Sequence, residues 1–281
     1  MSRLSQGYAG TGGLADAGGL AALARRIGAK AGPFLSIAAV LIAWEVLART
    51  GTVVAFLLPP LTVVIARIAE DLFSGKLLMD AAITLYRALT GFGIAAVFGV
   101  TLGILISRVG SVRWFFDPLV SIGLPMPKIA LLPVFMLWFG LFDLSKILMV
   151  AFSASFQIVI ATWAATRLVE RELIWSARSL GASEKEILWQ VILPGAAPQI
   201  LTGLQVAMPI CLIVVLVTEM AMGGQGLGNS MLTSARYVDS PGVFAGIVEI
   251  GLLGFLVIKT MERIRRRLLL WHPETRKDVA A

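Results

Sequence analysis

The stretch Ala177–Pro194 reads ARSLGASEKEILWQVILP, a polar, helix-forming segment set between two long apolar ones. Leu173, Ile174, Ala177 and Leu180 share one face of a helix. Gly181, inside the Leu180-Gly181-Ala182 bend, suits the left-handed position that stops such a helix. Ser183 followed three residues later by Glu186 is a capping box, so a second helix starts there. Ile187, Leu188, Val191 and Ile192 give that helix an apolar stripe. Pro194, after Leu193, is expected to end it, because proline lacks the amide and the residue before it avoids helical angles. The expected outline is helix, glycine bend, helix, proline exit: a compact elbow over about residues 170–194.

What surrounds the elbow is membrane sequence. The chain has 281 residues, of which 58% are hydrophobic and only 15% charged, and its mean hydropathy is +0.87. Soluble domains are about half apolar and about a quarter charged. Apolar runs of roughly 20 residues recur along most of the length. The reading is an all-α membrane protein of about six spans, near 33–49, 82–107, 114–139, 145–166, 198–221 and 243–262. The segment Leu61–Ser74 is too short and too charged to span, and reads as a helix lying at the membrane surface. Residues 1–32 form a tail, with an uncleaved first helix after it, and residues 263–281 form a basic tail.

The net charge of +7 does not point to nucleic acid, because the basic residues fall in alternate loops. Arg25, Arg26, Lys30, Arg108, Arg113 and the elbow's Arg178 fall on one side, as do the basic residues of the C-terminal tail. The positive-inside rule then places both termini and the elbow in the cytoplasm. Arg49, Arg67, Lys76, Lys146 and Arg236 are assigned to outer loops.

Residues 114–139 carry Pro118, Pro125, Pro127 and Pro133. Each removes a backbone donor that hydrocarbon cannot replace, so this broken segment should be covered by protein or line a watery path. Lys128 lies inside it, as an electropositive point on that path or as a lysine bonded to backbone near an interface. Arg87 reads as an interface anchor, and Glu45 and Glu249 as partners of basic groups on adjacent helices. Glu219 precedes a run of glycines (Gly223, Gly224, Gly226, Gly228) that is either an outer loop or an outer gate. Pro125, Pro127, Lys128, Pro133 and Glu219 are therefore the candidate substrate-pathway residues.

Enzymatic and metal chemistry find little footing. Gly75-Lys76 lacks the earlier glycine and the Ser/Thr of a phosphate-binding loop. The single histidine, His272, makes a histidine metal site implausible, and the single cysteine, Cys211, allows no intrachain disulfide. No catalytic pair stands out.

The elbow resembles the cytoplasmic coupling loop of ABC-importer permeases, in which Glu-Ala-Ala, three residues and Gly lead to an Ile-x-Leu-Pro end. Ala177, Gly181, Leu193 and Pro194 match that pattern, Trp175 and Ser176 replace its first two residues, and Val191 stands for its isoleucine. Tyr86-Arg87-Ala88-Leu89, PKIALLPVFMLWFG (Pro127–Gly140), ILPGAAPQILTGL (Ile192–Leu204) and the RRRLLLWHPE ending are similar to the branch for taurine, alkanesulfonates, nitrate and pyrimidine precursors. The resemblance covers residues 55–275. It implies a type I ABC-importer permease fold in a bacterial inner membrane, working as a homodimer. Two ATPase subunits would carry ATP and Mg and dock on Ala177, Leu180, Gly181, Ala182, Ser183, Leu193 and Pro194. An extracytoplasmic solute-binding protein would deliver substrate, and this chain would bind no cofactor. The alternative is an ion-coupled secondary transporter, which calls for inverted repeats with paired discontinuous helices. Only one proline-broken span is visible.

Overall fold

Apolar runs without strand signals should fold as helices that satisfy their own backbone groups, and they do. The computed structural model describes residues 35–271, which are helical with no strand among them. Two units are distinguished, one up to Val64 and one from Ile65 onward.

In the first unit, residues 35–49 form helix α1. The chain after it returns on the helix, and Trp44 Nε1 donates to the Pro59 carbonyl at 3.0 Å. Glu45 pairs with Arg49 one turn along the same helix and accepts from Thr62. Its partner is thus local, not on an adjacent helix as expected, since an i,i+4 spacing puts both side chains on one face. Helix α2 (Leu61–Phe73) follows, with only its first turn, up to Val64, in this unit, and it matches the expected short helix.

The second unit is built on α3 (Lys76–Arg108), α6 (Asp143–Arg167), α9 (Leu193–Met222) and α11 (Ser240–Leu268). Its core joins Ala88 and Ala95 of α3, Met149, Val150 and Ala154 of α6, and Ala207, Cys211 and Val215 of α9. Small residues on α3 let two backbones approach. A Cβ added at Gly91 would meet Val150 at 2.7 Å and the Ile147 carbonyl at 2.9 Å, and one at Gly103 would meet Thr162 at 2.7 Å.

The proline-rich segment is not one continuous helix. α4 (Gly110–Gly123) and the stretch Lys128–Phe139, a 3₁₀ turn (Lys128–Leu131) followed by α5 (Leu132–Phe139), meet at 97°. Pro125 and Pro127 sit between them and supply no amide, so the α4 ladder cannot continue. Among the described residues four helices are long and apolar enough to cross a membrane, or five with the bent pair counted as one. The first expected span, 33–49, is described only from residue 35. Residues 1–32 and His272 lie outside the described residues, and the expected C-terminal tail is described only as far as Trp271. α11 runs on through Arg263 and Arg265–Arg267 to Leu268, past the expected boundary at 262.

α7 (Arg171–Ser179) and α8 (Glu184–Ile187) form the elbow. Pro194 does not end the second helix. A π-helical turn over Leu188–Ile192 leads into α9, with Leu193 N donating to Leu188 O. The wider turn moves the carbonyl that an α-turn would drive against the proline ring, and Pro194 then sits in the first turn of α9 where its missing amide costs nothing. The result is a single helical run of 39 residues, Glu184–Met222. α10 (Leu227–Arg236) connects it to α11.

Candidate functional site: an exposed elbow and a buried polar cluster

The elbow is built from local rules. The Ala182 amide donates to the Ala177 carbonyl at 3.1 Å and the Gly181 amide to Arg178 at 3.0 Å, the paired bonds of a Schellman stop. Gly181 has φ +88°, and a Cβ there would meet nothing within 4 Å. The Ser183 hydroxyl accepts from the Glu186 amide while the Glu186 carboxylate accepts from the Ser183 amide at 2.8 Å. Glu184 pairs with Arg178 across the bend and with Arg108 at the end of α3, at 2.8 Å. Ile187 and Ile192 are buried, whereas Leu180 is 88% exposed at the tip. Ala177, Ala182 and Leu193 are half-buried, and Ser183 and Pro194 are exposed. Five of the seven expected elbow residues, Ala177, Leu180, Gly181, Ala182 and Ser183, therefore lie at one bend with a bare tip, whereas Leu193 and Pro194 open α9, about 15 Å further along the helical run.

The candidate pathway residues do not form one site. Pro125, Pro127 and Pro133 are exposed around the α4–α5 break. Lys128 Nζ donates to the Leu124 carbonyl at 2.9 Å and lies 5.2 Å from the Phe156 ring centroid. A cation there satisfies the free carbonyls at the end of α4. Glu219 is elsewhere. It lies near Lys146 on α6, ten residues or about 15 Å along that helix from Phe156.

Around Glu219 is a cluster whose members the sequence did not bring together. It joins the starts of α3 and α6 to the end of α9, so it lies at the opposite end of the bundle from the elbow. Glu219 is fully buried. Arg87 Nη1 donates to its Oε1 at 2.7 Å, and the Gly228 amide donates to its Oε2 at 3.1 Å. Thr84 Oγ1 lies 3.0 and 2.9 Å from the two oxygens, sharing one proton between them, and accepts from the Leu227 amide. Arg87, only 4% exposed, also pairs with Asp143 at 2.7 Å and donates to the Gln225 carbonyl at 2.6 Å. It is a buried ion-pair partner and not the expected interface anchor. Lys146 is likewise no loop residue. It is buried in the first turns of α6 and donates to the Gly223 carbonyl at 2.6 Å. The Gly226 amide donates to Asp80 Oδ1 at 3.0 Å.

Together these bonds strap the turn Gly223–Gly228 across three helix ends. Gly226 has φ +126°, and a Cβ there would collide with the Glu219 carboxylate, so only glycine lets the turn lie this close. Glu249, expected to pair, has Oε1 buried without a hydrogen-bond partner among the described residues. One signal in the sequence could have flagged the cluster. Thr84 and Arg87, and likewise Asp143 and Lys146, are spaced i,i+3 on helices that are otherwise apolar.

A long-helix bundle with a bare elbow at one end is an architecture, and the sequence comparison decides the family. The pattern described as "Binding-protein-dependent transport system inner membrane component" matches residues 95–269. The chain belongs to this family. Among its relatives, the taurine transport system permease protein TauC of Escherichia coli is 30% identical over 85% of this chain and 89% of its own length. The putative aliphatic sulfonates transport permease protein SsuC of Bacillus subtilis is 32% identical over 84% of this chain and 86% of its own. A chain of the MetNI methionine ABC transporter, solved facing inward, superposes with TM-score 0.55 at 21% identity, over 67% of this chain and 94% of its own. That likeness carries the fold. This chain is a multi-pass ABC permease of a binding-protein-dependent transport system, with the type I importer permease fold.

Proposed function

We propose that this permease forms the membrane path of an ATP-driven importer for a small sulfonate-type anion. The relatives named for taurine and aliphatic sulfonates support the solute class. The elbow carries the mechanism: a locally rigid bend that presents Leu180 bare at its tip suits a groove on another protein. Two ATPase subunits dock there and hold the ATP and Mg, while this chain binds no cofactor of its own. Two copies of the permease pair about a two-fold axis with the path between them. A solute-binding protein loads the end that carries Glu219. ATP-driven closure of the ATPases shifts the elbows and switches the path between two states. The permease sits in a bacterial inner membrane with both termini and the elbow in the cytoplasm.

Reconstituted with its ATPase and binding protein, the permease is expected to accumulate taurine or ethanesulfonate in a vanadate-sensitive manner. Uptake that instead collapses with a protonophore at constant ATP would establish the ion-coupled alternative.

Orientation has its own test. Cys211 is buried, so single introduced cysteines report cleanly. In intact cells a membrane-impermeant maleimide should label Tyr237→Cys, which lies exposed beyond α10, and should reach Leu180→Cys only after permeabilisation. Labelling of Leu180→Cys in intact cells would reverse the orientation.

A further inference from the structure

Two cations at the elbow's end of the bundle meet on one ring. Arg113, in the first turn of α4, and Arg167, at the end of α6, have their guanidinium carbons 5.6 and 5.2 Å from the Trp163 ring centroid. Among the described residues neither forms an ion pair. Asp117 and Glu170, the acidic residues nearest to them in sequence, pair with neither, and Glu184 is shared by Arg108 and Arg178. A cation–π contact uses no N–H group, so each guanidinium keeps its fork of donors for an oxyanion.

The same helix faces continue into an apolar groove. Arg113, Phe116 and Val120 follow one another at helical spacing on α4, and Arg167, Trp163 and Val159 do so on α6. Phe116, Val120 and Val159 line a groove of about 770 Å³ that extends along α6 to Leu148, eleven residues or about 16 Å from Val159. Trp163, packed in one small cluster with Phe116 and Val120, joins the groove to the arginines. The lining is apolar, and its one hydroxyl, on Ser155, donates to the Ala151 carbonyl at 2.6 Å. Lys128, the other cation beside the groove, is turned to the Leu124 carbonyl. Phe98, Leu119 and Ile122 on the groove are exposed.

We propose that the groove and the Arg113–Trp163–Arg167 group bind one anionic phospholipid, with its phosphate at the arginines and one acyl chain along the groove, in the leaflet on the elbow's side. A small polar anion would leave the groove empty, and an alkane would leave the arginines unanswered. A second copy pairing through this patch about a two-fold axis would bring two more arginines and no anion. Basic residues set between helices at the membrane surface suit lipid headgroups. The site is independent of the transported solute.

The test separates headgroup, chain and protein partner. The permease, assembled with its ATPase and freed of lipid in detergent, is titrated with dioleoyl phosphatidylglycerol, with phosphatidylcholine of the same chains and with glycerol phosphate. Native mass spectrometry counts what is bound, and thermal unfolding follows its effect. Phosphatidylglycerol should bind about tenfold more tightly than phosphatidylcholine, each arginine contributing severalfold, and should raise the unfolding temperature. Glycerol phosphate should do neither. Arg113→Gln/Arg167→Gln, at two exposed positions, should fold and lose the preference, whereas Arg113→Lys/Arg167→Lys should keep most of it. Equal binding of the two lipids by the parent overturns the site, as does a preference that survives in the Gln pair. Binding of glycerol phosphate as tight as that of the lipid overturns the role of the groove. If the Gln pair does not fold, the parent's preference and the Lys pair decide. Oxidative cross-linking of Leu119→Cys between two permeases in the membrane would show a second copy covering the groove, and would also overturn the proposal.

Discussion

A Gly181→Asp permease is expected to reach the membrane folded and to lose its ATPase. Gly181 sits at φ +88° with open space where a side chain would begin. The substitution therefore clashes with nothing inside the chain. Its conformational cost is about 1 kcal/mol, too little to unfold a helix bundle. The flanking structure also stays fastened, by the Ser183–Glu186 capping box and the Glu184 ion pairs on Arg178 and Arg108. What changes is the surface. A carboxylate now stands beside the bare Leu180, and any groove that receives Leu180 must bury a charge for which it has no partner. Such a burial costs several kcal/mol, enough to reduce binding by about two orders of magnitude. Gly181→Ala adds only a methyl group and should do much less. Co-purification of the ATPase with the tagged permease, followed by binding-protein-stimulated hydrolysis, reads the outcome. If Gly181→Asp retains both at parental levels, the elbow is not the coupling site.

Arg87→Met should fail at the other end and in the other way, through stability. Arg87 neutralises Glu219, which is fully buried, and also holds Asp143 and the Gln225 carbonyl. Removing one member of a buried ion pair costs about 3–5 kcal/mol, because the remaining charge stays in a medium that cannot solvate it. Methionine keeps most of the volume, so a cavity is not the cause. Thermal unfolding in detergent should shift markedly downward, and the membrane yield should fall. Arg87→Met combined with Glu219→Gln should recover part of the loss, since the orphaned charge goes with it while the amide oxygen still accepts from Gly228. A single variant as stable as the parent, or a double variant worse than the sum of the two changes, would show that the pair is not the keystone described.

These two ends differ in how far they could be read from sequence. The elbow is written in short-range signals. The capping residues lie three apart, the glycine stop lies within one turn, and both appear where expected. Pro194 was misread because its effect depends on the preceding turn. The π-turn is a small change in hydrogen-bond register that has no distinct residue signature. The break at Pro125 and Pro127 was legible, but its 97° angle was not, since prolines mark where a helix stops and packing decides where the chain goes next. The polar cluster is the reverse case. Arg87 and Asp143 are 56 residues apart, and Thr84 and Glu219 are 135 apart. No periodicity links them, so each was read alone, Arg87 as an anchor and Lys146 as part of a loop.

The 39-residue run from Glu184 to Met222 has a mechanical meaning. Glu186, which caps the elbow, and Glu219, which holds the glycine turn, stand on the same rod, 33 positions and roughly 50 Å apart. No loop intervenes to absorb a displacement. The π-turn and the prolines within the helix, Pro198 and Pro209, are where bending is easiest. Under the proposed docking at the elbow, a push of a few ångströms at its tip would arrive at the far end as leverage on the strap, with no chain of relayed contacts needed to make one end answer the other.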